Sequence, residues 1–476
     1  MTKPDNVLKP PPDPRDVRLA ELESQLRQRD ALIEQLPQQL AELKQRLAEL
    51  ERAAKRQATP FVRQRRKENP KRPGRKASQG RFTSRPQPTP DQVLETKEQP
   101  LDACPVCGGP LTDVKDHQQS VVDLPEVRPT VTRYVTHSGQ CTQCGQRVRS
   151  RHPEQISQAT GAAGVVIGPR AKALAADLKH RLGVPYGKVA EVLAVGFGLP
   201  LSRGGPCQAD ARLAAQARPV YAELLDLIQQ SGVAHVDETG WRIGTLAAWL
   251  WVFTNRDLTV YTIASGRGHE VVVKVLGAEF AGILVSDCFT AYDHQALANW
   301  LKQKCVGHLL KDLSEMNESK TGGAVRFARV VTTVLRAALQ LRDQKGRLPA
   351  ADFAVQAVQL EARLDALIDT RRQLTDADNV RFPKRLRKHR AHLLRFLYVA
   401  GLDATNNQAE PKSMLRPAVV GGCNRTEGGA ETHSILASVL TTCRQQGFSI
   451  LDSFVKIQRN VGSTLKSLAP PLLDTS

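Results

Sequence analysis

The sequence has no long apolar run. Its longest uninterrupted stretch, Leu246 to Phe253, falls far short of the roughly 20 residues that a membrane-spanning helix needs, so no membrane span is expected. The N-terminus also lacks the charged-then-apolar pattern of a secretory signal and opens on Lys3, Pro4, Asp5 and a proline cluster, which points to a cytosolic protein. Acidic charge is scarce, with 48 Asp or Glu against 67 Lys or Arg and a net charge of +19. Such an excess favours a polyanionic partner, nucleic acid ahead of an anionic membrane. Cysteine is thinly spread and odd in number, at nine, which argues against a disulfide framework and leaves metal ligation as the better account of some of them. A chain of 476 residues exceeds one ordinary core, and roughly two to four folded units are expected.

From Leu22, the residues Leu26, Ile33, Leu36, Leu40, Leu43, Leu47 and Leu50 follow alternating steps of three and four, broken at Arg29. This is a coiled-coil pattern. Pro37 lies inside it and is expected to divide it into two shorter helices, because proline removes a backbone donor and clashes with the preceding turn. The seam would serve a second copy of the chain or fold onto its own protein. Residues 51–90 then hold thirteen Lys or Arg, among them Arg63, Arg65, Arg66 and Lys67, against Glu51 and Glu68, a net +11. With few apolar residues to offset chain entropy, this stretch reads as a disordered basic arm that contacts phosphates, or as a solvated linker.

Cys104-Pro-Val-Cys107 and Cys141-Thr-Gln-Cys144 each space two thiols two residues apart, and each pair is followed by a glycine, Gly108 and Gly145. Paired CxxC turns of this kind let four sulfurs converge on one zinc ion, with glycine permitting the tight turn. Four protein ligands leave no open position, so the ion would be structural. A redox CxxC is the competing reading. Val121-Val122 and Val131 to Val135 are expected to supply the strands of a small zinc ribbon. The scattered Cys207, Cys288, Cys305, Cys423 and Cys443 read as small buried apolar residues.

Between Pro169 and Gln216 the apolar spacing is helical, and a helix around Ser202 to Gln216 would suit either a helix-turn-helix reading a major groove or a plain helical bundle. The pattern then changes. Gly232 to Asp237 reads as a strand, Trp249–Phe253 and Leu258–Ile263 as a hairpin, His269–Leu276 as a helix, and Gly282 to Asp287 as a buried strand ending in an aspartate. Aligned strand ends would bring Asp237 and Asp287 together, and alternation would send Glu238 to the opposite face.

His235-Val-Asp-Glu-Thr-Gly-Trp241, Ser286-Asp-Cys-Phe-Thr-Ala-Tyr292, Cys305-Val-Gly-His-Leu-Leu-Lys-Asp312 and Asn406-Asn-Gln-Ala-Glu410 stand in an order that resembles the insertion-sequence-66 family of DDE transposases. The resemblance spans nearly the whole chain and implies a multidomain α/β protein whose catalytic core is a ribonuclease-H-like mixed sheet. It implies a leucine-rich helix at 15–55, a basic arm at 56–98, a zinc ribbon at 99–155 and a helical DNA-binding segment at 160–228. The core would occupy 229–312 and 405–462, split by a helical insertion at 313–404, with a tail at 463–476. It makes Asp237, Asp287 and Glu410 the acidic triad, though family members commonly carry arginine directly after the glutamate and this chain has Pro411. Glu427 and Glu431 are the fallback acids.

What that implies chemically is strand cleavage at transposon ends and transfer to target DNA. Two magnesium or manganese ions about 3.5–4 Å apart would activate the nucleophile and stabilise the leaving 3′-oxygen. His308 and Lys311, three apart on a helix, would approach the scissile phosphate or form a surface pair. Arg385, Arg387 and Lys388 lie in a run from Arg381 to Arg395 without an acid and would track phosphates or line a solvated helix face. Terminal-repeat and target DNA, a homodimer or higher oligomer, and accessory transposition proteins are the implied partners, in a bacterial cytosol near the nucleoid. The contrasting readings are a catalytically silent DNA-binding descendant of a transposase and a structure-specific nuclease.

Overall fold

The computed structural model describes residues 14–54, 84–369, 376–409, 422–460 and 463–469. Glu410, Pro411 and the arginines and lysine at 63, 65, 66 and 67 lie outside the described residues.

The first helix, α1, runs unbroken over Pro14–Ala54 with Pro37 inside it, which corrects the expected division into two. One lost hydrogen bond is outweighed where the flanking residues are strong helix formers such as Leu, Glu, Gln and Arg. The described part of its apolar seam faces solvent, with Leu26 at 47% and Ile33 at 53% exposed. No described helix is long and apolar enough to cross a membrane.

A second correction concerns residues 110–137, which form no strand. The two short strands of this region, β1 (Ser138–Gln140) and β2 (Arg147–Arg149), instead flank the second CxxC turn and pair antiparallel. Val121 and Val131 are 80% and 94% exposed. Valines favour strands only where a neighbouring surface packs against them, and here none does.

Helices α2 (Pro169–Ala176), α3 (Tyr186–Phe197) and α4 (Gly204–Gln229) follow. A π-helical turn, Asp177–Arg181, continues α2. The helix expected at Ser202 to Gln216 is the first half of α4, which continues through Pro219. Leu213, Ala217, Val220, Leu224 and Ile228 repeat at steps of three and four along one buried face, and that face packs on the sheet in a single apolar cluster with Ala234, Val236, Trp251 and Phe253.

The sheet itself contains β3 (Val233–Ile243), β4 (Leu246–Thr254), β5 (Thr259–Ala264), β6 (Ile283–Ser286) and β7 (Leu301–Lys304), in the spatial order β5-β4-β3-β6-β7. The first three strands pair antiparallel, whereas β6 and β7 run parallel to β3. The β4–β5 turn is an Asx turn in which the Asn255 side chain accepts the N–H groups of Asp257 and Leu258, each at 2.9 Å. α5 (His269–Leu276) crosses between β5 and β6.

Strand β7 carries no apolar signal, since Leu-Lys-Gln-Lys is mostly polar, yet Lys302, Gln303 and Lys304 are all buried. Gln303 explains part of this. Its amide donates to Leu393 O at 3.0 Å and accepts from Phe396 N at 3.0 Å, so residues some ninety positions away satisfy it.

Beyond the sheet, α6 (Val306–Ser319), α7 (Arg326–Asp343), α8 (Ala350–Asp369) and α9 (Ala377–His389) form a helical layer with their own apolar cluster. α6 runs without a break through the boundary expected at 312/313. The long α10 (Glu427–Gln445) packs against α4 and β5, with a shorter helix, Ile450–Gln458, after it.

Candidate active site

The register of β3 on β6 pairs His235 with Val285. Two residues on, Asp237 within β3 and Asp287 just past the end of β6 therefore stand opposite each other across adjoining strands, about 4.8 Å apart. Side chains two apart share a face, so both aspartates point to the side of the sheet that bears Val233, Ile283 and Val285 and the helical layer. Both are half-buried. One oxygen of each is fixed by the chain itself, Asp237 Oδ1 accepting Glu238 N–H at 2.9 Å and Asp287 Oδ1 accepting Phe289 N–H at 2.9 Å.

The Asn406 motif crosses this same face. Asn406 is buried, and its Nδ2 donates to Val236 O at 2.8 Å while its backbone N–H donates to Cys305 Sγ at 3.1 Å. His235 Nδ1 lies 3.3 Å from Asn406 Oδ1, and burial holds that imidazole below its ordinary pKa. Three residues later, Ala409 is fully buried among Trp241, Leu250 and Val252. Val252 is the cross-strand partner of Asp237. Ala409 thus packs on the strand pair that carries Asp237. Of the fallback acids, Glu431 pairs with Arg218 at 2.7 Å and Glu427 is exposed at the start of α10.

On the opposite face the strand carries a feature that sequence patterning missed. Glu238 is buried and accepts both Arg267 Nε at 2.9 Å and Nη2 at 2.8 Å on one oxygen, with the Tyr292 hydroxyl on the other. Burial pushes the Glu238 carboxyl above its usual range, and the Asp287 charge pushes the same way, against the Tyr292 and Arg267 bonds. Tyr292 is raised far above a free phenol, first by burial, then by Glu238, Asp237 and Asp287. Lys304, also buried, donates to Asp287 O at 3.0 Å and pairs with Asp293 at 3.0 Å. The only hint available in sequence was that Glu238 and Tyr292 sit inside the same two motifs as the aspartates.

His308 and Lys311 lie on α6, whose first residue, Val306, donates its N–H to Ala404 O, two residues before Asn406, at 2.9 Å. His308 is half-buried and Lys311 exposed. Arg385, Arg387 and Lys388 are engaged within the protein. Arg385 meets Asp312 at 2.7 Å, Arg387 meets Asp369 at 3.7 Å, and Lys388 meets Asp293 at 2.7 Å.

The two CxxC turns have the same build. Gly108 N donates to Cys104 O at 2.8 Å and Gly145 N to Cys141 O at 2.9 Å, with φ near +70° at both glycines. Backbone N–H groups lower the leading thiol of each pair, Val106 then Cys107 acting on Cys104, and Cys144 then Gln143 acting on Cys141. Thiols so disposed suit a metal that binds thiolate. Among the described residues no three or more His, Cys, Asp or Glu gather as a ligand group. Of the other cysteines, Cys305 and Cys443 are buried as expected, whereas Cys207 is exposed, which corrects that reading. It occupies the solvent side of α4.

Comparison with known proteins gives two family matches. The family model described as Transposase IS66 family matches residues 164–432, and the zinc-finger binding domain of transposase IS66 matches residues 102–145. An uncharacterized protein, y4qI, of Sinorhizobium fredii is 24% identical over 315 residues, which is 58% of this chain and 56% of that protein. The chain thus matches little more than half of that relative's length.

Proposed function

The chain belongs to the IS66 transposase family, and from that premise we propose that it is a DNA transposase that cuts strands at the ends of its element and joins the freed 3′-hydroxyls to target DNA. The observation that carries the reading is the alignment of Asp237 with Asp287 across parallel strands, with the Asn406 segment bonded to the same strand beside them. Asp237, Asp287 and Glu410 are the proposed acids. The mixed sheet, three antiparallel strands followed by two parallel ones, is the arrangement expected of a ribonuclease-H-like core.

Half-buried carboxylates are hard oxygen donors of the kind magnesium or manganese takes. Two such ions, when bound, would supply an activated nucleophile and a counter-charge for the leaving oxygen. The protein's part is positional. Asp237 and Asp287 are held by backbone N–H groups, Lys304 clamps the Asp287 carbonyl, and the clasp of Glu238, Arg267 and Tyr292 stiffens β3 from behind. Cys104, Cys107, Cys141 and Cys144 would hold one structural zinc ion, supported by their matched turns and by the zinc-finger match.

Terminal-repeat DNA incubated with the protein and magnesium should be nicked, and Asp237→Asn should abolish nicking while DNA binding persists. Sequencing of the products separates the alternatives. Donor joined covalently to target marks a transposase, cut ends alone mark a nuclease, and binding without cutting marks a silent descendant.

A further inference from the structure

Several basic side chains of the helical layer are neutralised inside it. Lys320 meets Asp376 and Asp378, Arg342 meets Asp403, and Arg390 meets Asp365. α7 differs. Arg326, Arg329 and Arg336 lie at steps of three and seven along its exposed side, which puts them on one stripe, and none has an acidic partner among the described residues. Arg329 and Arg336 border a groove of about 260 Å³ between α6 and α7, floored by Thr332, Thr333 and Asn317. Beside the groove, Glu318 accepts from the lining residue Ser314 at 3.4 Å. Asn317 Oδ1 is shielded from solvent and bonded to nothing among the described residues. An amide of this kind, turned over, presents its N–H2 to an anion.

The groove is also placed usefully. α6 starts where Val306 N bonds Ala404 O, against the segment that crosses the Asp237 face. At about 1.5 Å per residue, Leu310 at the near end of the groove is roughly one helical turn from that start, and Asn317 at the far end is about 17 Å away. Arg329 and Arg336 are about 10 Å apart along α7, a length over which duplex DNA carries roughly six phosphate charges.

We propose that the α6–α7 groove binds the phosphate backbone of duplex DNA flanking the scissile position, with Arg329 and Arg336 as its phosphate ligands. The assignment rests on the transposase reading and adds to it a site on the helical layer. Guanidinium groups with no internal carboxylate keep their full donor set for phosphate oxygens, whereas Arg385, Arg387 and Lys388 must first leave a partner.

The test uses the full-length protein, the double variant Arg329→Gln/Arg336→Gln, and a charge-matched control, Arg256→Gln/Arg444→Gln, on the far side of the sheet. Affinity for an element-end duplex and for an unrelated duplex is measured by fluorescence anisotropy across a salt series. The groove variant should lose about tenfold or more in affinity, and its slope of log affinity against log salt should shrink by about two, near 0.9 per lost phosphate contact. Its melting temperature should stay that of the wild type, and Arg329→Lys/Arg336→Lys should restore most of the slope. Equal losses on both duplexes identify general backbone binding, and a loss confined to the element end identifies the donor flank. A slope that matches the control overturns the groove assignment while leaving the transposase reading intact. Failure of the wild type to bind or nick either duplex overturns both.

Discussion

The described stretch from 84 to about 160 and the stretch from 169 onward handle their apolar residues in opposite ways. In the first, Leu94, Val121, Leu124 and Val131 stand at 76% exposure or more, and the only regular pairing is a strand pair of three residues each. In the second, Trp251, Phe253, Tyr292 and Leu224 are fully buried, each contributing about 1.5–3 kcal/mol by leaving water. The C-terminal region therefore owes its structure to its own core. The cysteine-bearing region has no such core of its own, the situation in which small domains draw stability from a bound metal, and the described apolar residues of the α1 seam also lie in solvent.

That contrast can be broken in four ways. The largest effect should come from metal removal. A chelator, or Cys104→Ser with Cys141→Ser, should make residues 99–155 protease-sensitive and leave the melting of the sheet domain where it was. Joint loss of both would show that the two regions fold as one. Next in size is Arg267→Ala, which strands Glu238 as a buried carboxylate without its cation. Because Arg267 is 40% exposed, the cost should be about 2 kcal/mol, below the full range for a broken buried pair, read by denaturant melting of the core.

Acid gives a somewhat smaller effect. Burial, aided by neighbouring lysines, depresses His389 to about 4 and His392 to about 4 from an ordinary 6.5. The unfolded chain therefore takes up protons that the folded one refuses, so stability is whole above pH 6.5 and falls as pH drops toward 4. The slope should be at most about 1.4 kcal/mol per pH unit for each histidine. A flat melting profile over that window would contradict the burial. The smallest change in folding should follow Ile33→Asp with Leu36→Asp in α1, which should leave core stability within about 0.5 kcal/mol while lowering the mass measured by sedimentation if the seam joins copies of the chain.

Much of the sheet was legible in sequence because its strands announce themselves locally. Val233 to Asp237, Trp249 to Phe253 and Ile283 to Asp287 are largely apolar runs, the first and last closed by aspartates, and parallel register alone then aligns Asp237 with Asp287. What was not legible depends on distant partners. β7 is polar by composition and buried only because Leu393, Phe396 and Asp293 satisfy it. Glu238 could be assigned to the face away from Asp237 by alternation, but its clasp needs Arg267 and Tyr292, which no periodicity connects to it. The basic run around Arg385 to Lys388 looked free in sequence because its acids, Asp312, Asp369 and Asp293, lie elsewhere in the chain. Pro37 misled for the converse reason, a local penalty that the surrounding helix formers outweigh.

The account turns on Glu410 acting with the two aspartates, and the most direct measurement is magnesium-dependent nicking of element-end DNA by Glu410→Gln beside Glu427→Gln and Glu431→Gln. The expected result is a loss of about 10³-fold or more for Glu410→Gln, several kcal/mol of transition-state stabilisation, with DNA affinity unchanged and the other two variants active. Wild-type nicking by Glu410→Gln, or its loss in Glu427→Gln or Glu431→Gln instead, would contradict the proposed triad.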